Sequence, residues 1–126
     1  MNLKNEFDPI RTWAEGKGIY ESGDIKTQTL KLIEEAGELC KAVLNEDLEE
    51  IEDAIGDCVV VLTSIAELTN KHFGLQEEYW EDVAGDGGSR MYFPATKISI
   101  ESCTETAYNV ITKRKGKMEN GTFKKD

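Results

Sequence analysis

Two consecutive segments of the chain repeat apolar residues at helical spacing, with only a short polar break, Asn45 to Asp47, between them. The first segment runs from Ile25 to Leu44, and the second begins at Leu48 and is predicted to end near Gly74. Asp24 directly precedes the first segment, where its side chain favours a helix N-terminus. Helices joined by so short a connection pack against each other antiparallel, so the pattern predicts a helical hairpin.

The apolar residues of both segments are interpreted as the faces that build a core. They are Ile25, Leu30, Ile33, Ala36, Leu39, Cys40, Val43 and Leu44 in the first segment, and Leu48, Ile51, Ile55, Cys58, Val59, Leu62, Ile65, Ala66 and Thr69 in the second. Cys40 and Cys58 are accordingly predicted to be buried, reduced thiols.

The remaining chain predicts two further helices and one long loop. A first helix is expected near Phe7 to Glu15, and a last one from Ser102, at capping-box spacing from Glu105, to Gly116. Between them the glycine-rich stretch from Ala84 to Ser99 predicts a loop. The expected fold is therefore an all-α bundle built on the hairpin, a single domain over residues 1–126 with an atypical loop insertion near 76–101.

Length and charge limit the partners of such a bundle. With 126 residues, of which 39% are hydrophobic, the chain can fill one core, and a few helices in so short a chain commonly finish burying their apolar faces against another copy. The net charge of −10 argues against nucleic acid as a partner, because binding a polyanion needs a basic surface. The N-terminus has no apolar signal core and no run is long enough to span a bilayer, so a cytoplasmic protein without a membrane partner is expected.

The negative charge is concentrated in the hairpin. Between residues 34 and 57 there are ten acids and one base, Lys41. Most such runs are solvated faces, and Glu46, Asp47 and Glu49 are explained by the start of the second helix, where the helix dipole favours acids.

Two other groups of acids lie within the helices, where no dipole favours them. Glu34, Glu35 and Glu38 stand three or four residues apart in the first helix. The second helix repeats this spacing, and its members are Glu50, Asp53 and Asp57. Like charges at these spacings repel, and Asp57 is flanked by apolar residues that should not leave it unpaired.

An antiparallel hairpin brings both groups to one level, where converging carboxylates need a cation. Oxygen ligands without histidine or cysteine suit the hard ions Mg²⁺ or Mn²⁺. Spacing alone leaves both interpretations open, a metal site and a charged face. Lys31, one turn before the first group, is a candidate for binding an anion held by such metals.

These residues resemble the MazG-like nucleotide pyrophosphohydrolases, whose signature is EExxE followed by ExxD. Glu34 to Glu38 matches EExxE fully, and Asp57 aligns with the aspartate of ExxD. The resemblance extends from Ile10 to Glu15, through the hairpin, and resumes at Ala107 to Met118, in the manner of the short phage-type form. It does not extend over about 76–101.

The chain departs from the signature at one position. Ala54 stands where the family has the glutamate of ExxD, so one expected ligand is missing. Glu50 to Asp53 forms a second ExxD one turn earlier, and Asp53 lies four residues before Asp57. We infer that Asp53, with Glu50 behind it, compensates.

The resemblance implies an all-α fold, dimers or tetramers, and Mg²⁺-dependent hydrolysis of a nucleoside triphosphate to monophosphate and pyrophosphate. The metal ligands it implies are Glu35, Glu38 and Asp57, to which we add Asp53 and Glu50 as the compensating pair. Glu34 or Glu38 is the candidate catalytic base, although Glu34 could equally orient a metal ligand instead. The residues it implies for substrate binding are Asn109, Lys113 and Trp13. Lys31 and Arg114 are added as basic side chains placed to bind the phosphates.

Other interpretations remain open at this point. Lys113 to Lys117 could simply cap the C-terminus of the last helix, and Trp13 could be a core residue. The chain as a whole could be a non-catalytic helical binding or regulatory module on the same scaffold. A di-iron bundle requires Glu-x-x-His pairs, which the single histidine, His72, does not provide.

Overall fold

A computed structural model describes residues 1, 3–73, 76–81, 89–94 and 98–126, and for 76–81 and 89–94 it describes the backbone alone. In chain order the described elements are α1 (Asp8–Gly16), α2 (Ile19–Ser22), α3 (Ile25–Leu44), α4 (Leu48–Phe73), β1 (Gln76–Glu81), β2 (Ser89–Pro94), α5 (Ile100–Ile111), β3 (Gly116–Glu119) and β4 (Thr122–Lys125). Most described residues are helical, which confirms the predicted helical fold. None of the helices in these ranges is both long and apolar enough to cross a membrane.

The predicted hairpin of α3 and α4 is confirmed, with its expected bounds. Asp24 caps α3, since its carboxylate accepts hydrogen bonds from the backbone N–H (2.9 Å) and the hydroxyl (2.8 Å) of Thr27. Asp47 starts α4 in the same way by accepting a 3.1 Å bond from the backbone N–H of Glu50. The helix ends at Phe73, and the predicted stop at Gly74 lies outside the described residues.

The core lies where α4 meets α3, α1 and α2. Its buried apolar residues are mostly small: Ala14, Ala42, Ala54, Val61, Ala66 and Leu68. On α3 the face that is buried or partly buried repeats every three or four residues, through Gln28, Leu32, Glu35, Leu39 and Ala42. A core made largely of alanine lets α3 and α4 approach closely, but it buries little apolar area.

A second apolar face of the hairpin is exposed, so helical spacing alone did not show which apolar positions lie in the chain's own core. The residues of this outer stripe are Leu30 (67% exposed), Ile33 (66%), Leu44 (83%), Leu48 (80%) and Ile55 (50%). Cys40 lies between Ile33 and Leu44 and is also exposed, so the prediction that it is buried was wrong. The reason is that α3 carries apolar residues on two sides, and one partner helix covers only one of them.

Arg11 joins the N-terminal and C-terminal helices to α4. Its Nε lies 2.7 Å from Glu67 of α4, and its Nη1 lies 2.7 Å from Asp8 and 2.9 Å from Glu101 of α5. Nη2 donates to the other oxygen of Glu101, so that this pair is bidentate. Glu101 is buried, and the guanidinium holds the pKa of its carboxyl below the usual value.

The start and end of α5 differ from the prediction. The helix begins at Ile100 and not at Ser102, because Ser99 is the N-cap and shares a reciprocal capping box with Ser102. Ser102 thus occupies the third helical position, and Glu105 is not the capping partner. The helix ends at Ile111, five residues before Gly116.

The region predicted as a loop contains an antiparallel hairpin. Strands β1 and β2 pair from Gln76 with Pro94 to Glu81 with Ser89, so that β2 lies within the expected loop from Ala84 to Ser99. Residues 84–88 and 95–97 of that loop lie outside the described residues. The sequence of β2 includes Met91, Tyr92 and Phe93, and aromatic residues favour strands. The prediction gave more weight to the nearby glycines and proline, which favour a loop.

A second antiparallel hairpin, β3–β4, follows α5 and was not predicted. Asn120 and Gly121 form its two-residue turn with φ values of 51° and 82°. A positive φ at both positions defines a type I′ turn, which favours Asn-Gly. The Asn-Gly pair was therefore the sequence signal that predicts this hairpin.

Replacing Arg11 with methionine is expected to lower the free energy of unfolding by about 2–4 kcal/mol, because Glu101 and Glu67 would be left partly buried without a cation. Urea denaturation followed by circular dichroism measures the change. The matched control, Lys17→Met on exposed surface, should change it by less than about 0.5 kcal/mol. Equal effects of the two variants would show that Arg11 does not join the helices.

Candidate functional site

The hairpin brings charged side chains of both helices together at mid-height. On α3, the Lys31 ammonium lies 3.4 Å from the carboxylate of Glu35, whose side chain is 15% exposed. On α4, Asp57 is partly buried on the side facing α3, while Asp53 is exposed. The i, i+4 spacing within each helix places the members of each pair on one face.

The electrostatics of Asp57 link the two helices. The pKa of its carboxyl is raised first by partial desolvation and then by the negative charges of Asp53 and Glu35, while Lys31 acts in the opposite direction. Glu35 on α3 is therefore close enough to Asp57 on α4 for the two charges to interact. The structure brings together this pair from the predicted site.

Asp57 also lies at the edge of an open groove of about 1010 Å³ along α4. The acids that line the groove are Asp47, Glu49, Glu50, Glu52, Asp53 and Asp57. Its apolar lining comes from Ile10 of α1 and from Val59 and Val60. The predicted ligands Glu50, Asp53 and Asp57 thus share one surface, whereas Asp47 and Glu49, which the sequence assigned only to the helix start, line it too.

The structure shows where Ala54, which replaces the glutamate of ExxD, lies on α4. Ala54 is buried, 5% exposed, on the face of α4 that packs inward. Asp53 is exposed and turned by about 100° around the helix, the rotation between successive residues. Asp53 therefore adds a carboxylate beside Asp57, but it does not occupy the place of the missing glutamate.

The donor set suits a hard divalent cation, although a complete metal centre is not assembled in the described ranges. All candidate donors are carboxylates, and the raised pKa of Asp57 indicates negative charge that a cation would relieve. Across the described residues, no three His, Cys, Asp or Glu side chains converge closely enough to hold a metal ion. Glu34 and Glu38 are exposed, and binding by Glu38 requires its side chain to turn towards Glu35 and Asp57.

The residues predicted to bind substrate are spread over the surface. Trp13 on α1 is 51% exposed, so the alternative that it is a core residue was wrong. Asn109, Lys113 and Arg114 are exposed at the end of α5. In the described chain α5, which carries Asn109, packs on α4 but not on α3. The structure therefore does not bring Asn109 together with the acids of α3 within one copy.

Sequence reasoning missed two contributors to this region. Arg11 positions α1 against α4, and one helical turn of α1 carries both Arg11 and the groove residue Ile10. The only local signal was the i, i+3 spacing of Asp8 and Arg11. The contacts with Glu67 and Glu101 cross 56 and 90 residues of sequence, which no spacing rule predicts.

Comparison with known proteins agrees with the sequence motif. Residues 24–81 match the model of the MazG nucleotide pyrophosphohydrolase domain, which confirms the resemblance for the hairpin. A stretch of 65 residues, 52% of the chain, is 41% identical to an uncharacterized 18.2 kDa protein in the rep-hol intergenic region of Haemophilus phage HP1, in line with a phage-type form. That stretch covers 40% of the phage protein, so the chain spans about two fifths of this relative. No solved structure matches the chain significantly.

Replacing Asp57 with asparagine is expected to stabilise the chain at pH 7 without divalent ions. Because the folded pKa of Asp57 is raised, its ionisation costs folding free energy once the pH exceeds the unfolded value of about 3.9. The gain should therefore disappear as the pH falls below that value. Urea denaturation between pH 3 and pH 7 measures it, with Glu52→Gln as the control for lower net charge, and a gain that persists at pH 3 contradicts the assignment.

Proposed function

We propose that this chain, whose residues 24–81 match the MazG nucleotide pyrophosphohydrolase domain, hydrolyses nucleoside triphosphates to monophosphate and pyrophosphate in a Mg²⁺-dependent reaction. The observation that carries the proposal is the pairing of Glu35 and Asp57 across the matched hairpin, beside Asp53. Converging carboxylates repel each other, and only Lys31 lessens this repulsion here, so a bound metal ion would add the missing positive charge. The preferred base and sugar follow from pocket contacts and are left open by the proposal.

Five acids are proposed to hold Mg²⁺, with Mn²⁺ as a substitute: Glu35, Glu38, Asp57, Asp53 and Glu50. When bound, the metal polarises the α-phosphoryl group and acidifies a water molecule. Lys31 is displaced from Glu35 in this scheme and becomes free to contact a phosphate. Its weak ion pair of 3.4 Å with half of the lysine side chain exposed supports such an exchange.

Glu34 or Glu38 is proposed as the base that removes a proton from the attacking water. Both side chains are exposed, and the ion pairs of the described residues include neither of them. The water oxygen then bonds to the α-phosphorus as the bond to the bridging oxygen breaks, and pyrophosphate leaves. Asn109, Lys113 and Arg114 are proposed to bind the phosphates, and Trp13 the base.

Self-association as a dimer or tetramer is part of the proposal. The outer stripe leaves large apolar side chains at half to four fifths exposure along both helices. Contiguous exposed apolar surface commonly marks a site of protein association. A second copy would cover this stripe by forming a four-helix bundle. That residues 1–126 form a single domain also stays a prediction, since the family match covers only 24–81.

The activity is tested by incubating the purified chain and Mg²⁺ with canonical and modified nucleoside triphosphates and measuring pyrophosphate and monophosphate. A Glu35→Gln, Glu38→Gln double variant should lose about 100-fold or more of the rate. Glu46→Gln, in the exposed turn, is the matched control and should keep it. If no nucleotide is hydrolysed, or the double variant is as active as the control, the enzyme proposal is wrong and the non-catalytic binding module is favoured.

Assembly is tested by sedimentation equilibrium of the wild type and of Ile33→Glu, which places a charge in the outer stripe. The wild type should sediment as a dimer or tetramer. The protein concentration at which the variant dissociates should be at least about tenfold higher than that of the wild type. Glu34→Lys, one residue away and outside the stripe, tests whether charge alone matters. A monomeric wild type contradicts the assembly.

A further inference from the structure

The C-terminal end of the chain is a basic arm. Residues 113–126 contain six basic and two acidic residues in a chain of net charge −10. Every residue of this arm is exposed, and β3 and β4 pack on each other but on no other described helix or strand. The last turn of α5 that carries the arm is exposed too, with Val110 and Ile111 each about half accessible.

The pairing within this hairpin places like charges opposite each other. Lys117 stands directly opposite Lys124 on one face, and Met118 stands opposite Phe123 on the other. Like charges at directly opposite positions destabilise a strand pair, and a lone two-stranded hairpin is marginally stable in water. Neither lysine forms an ion pair with the residues that the structure describes, and Met118 is 67% exposed. The hairpin thus presents unneutralised positive charge on one face and uncovered apolar surface on the other.

The groove along α4 has the complementary composition. It combines six carboxylates near the start of the helix with apolar side chains about two turns later, and no basic residue lines it. A negative groove of about 1010 Å³ beside the proposed site is large enough to admit more than one side chain.

We propose that the β3–β4 hairpin of one copy docks into the acidic groove of a second copy. Within one chain the hairpin contacts no other described element, so the docking joins copies. In this arrangement the face of the hairpin that carries Lys117 and Lys124 meets the carboxylates of Asp47, Glu49 and Glu52, and Met118 and Phe123 lie on the opposite face. The self-association proposed from the outer stripe would supply the second copy that this docking needs.

The docking also completes the proposed active site. Lys113 and Arg114 precede β3 by only a few residues and would be carried towards Asp53 and Asp57 of the other copy, where phosphates need positive charge. This consequence rests on the proposed function, but the docking itself does not.

The docking is tested on the full chain by mixing ¹⁵N-labelled and unlabelled protein, allowing exchange, and coupling adjacent lysines and carboxylates with a carbodiimide. Peptide pairs that join Lys117, Lys124 or Lys125 to residues 47–53 should carry mixed isotopes. Because random exchange also pairs copies of the same isotope, only a complete lack of mixed pairs among the cross-links would show docking within one chain. An absence of any cross-links between these residues would show no docking. Either result overturns the proposal.

The second test reverses charges on the two docking surfaces and measures self-association by sedimentation. Two double variants each reverse the charge of one surface: Lys117→Glu with Lys124→Glu in the hairpin, and Glu49→Lys with Glu52→Lys in the groove. Each double variant should weaken self-association by about tenfold or more, and mixing the two should restore it. Lys117→Arg with Lys124→Arg keeps the charge and should associate normally, which controls for damage to the hairpin. Lys17→Glu with Lys26→Glu is the matched control outside the arm. If the mixed variants self-associate as weakly as each variant alone, the docking is contradicted. It is also contradicted if the arm binds added oligonucleotide in preference to the second copy.

Complementation separates the docking from the activity. A chain with Glu35→Gln and an intact arm is mixed with a chain with an intact site and Lys113→Glu, Arg114→Glu. If the arm acts across copies, hydrolysis returns to a substantial fraction of wild type in the mixture, and no recovery means that it does not. If the wild type itself hydrolyses nothing, the mixed-isotope cross-links still decide the docking.

Discussion

Only residues 45–47 separate α3 from α4, and this short connection forces the two helices to bury their apolar faces against each other. The packing brings the middle of α3 to the level of the middle of α4. Glu35 and Asp57, 22 positions apart in the sequence, become neighbours because of it. Every other feature of the candidate site depends on this contact, since the groove, the outer stripe and the platform for α1 and α5 are surfaces of the same hairpin.

The hairpin keeps these acids at some cost in stability. Asp57 loses solvation and faces two negative neighbours, and only Lys31 lessens the repulsion. A chain selected for stability alone would place apolar or neutral residues there, because unpaired charge beside a core is unfavourable. In contrast, the acids around Arg11 are neutralised by a guanidinium with several hydrogen bonds. One acidic cluster therefore joins helices, while the other retains negative charge that the proposed metal ion would neutralise.

A single copy leaves both apolar and charged surface without a partner. The outer stripe exposes Ile33 and Leu44, and the C-terminal arm contacts none of the other elements described. Small alanine-rich cores contribute limited hydrophobic free energy to folding. In a chain of this size, association would therefore add substantially to the buried apolar area. The two proposals on assembly explain these surfaces together: the stripe joins the hairpins, and the arm meets the groove.

The sequence by itself determined the hairpin, its bounds, and the grouping of acids at mid-helix, because helical periodicity, the Asp24 cap and residue spacing are local properties. It also contained the Asn-Gly signal for β3–β4, which was overlooked, and the capping serine at Ser99, which was misplaced by three residues. Only the tertiary structure decided which apolar face of α3 packs inside, that Ala54 is buried while Asp53 borders the groove, and that Arg11 reaches Glu67 and Glu101. Those outcomes depend on contacts between residues far apart in the chain, where the packing of one helix face excludes the other, and no local pattern encodes that choice.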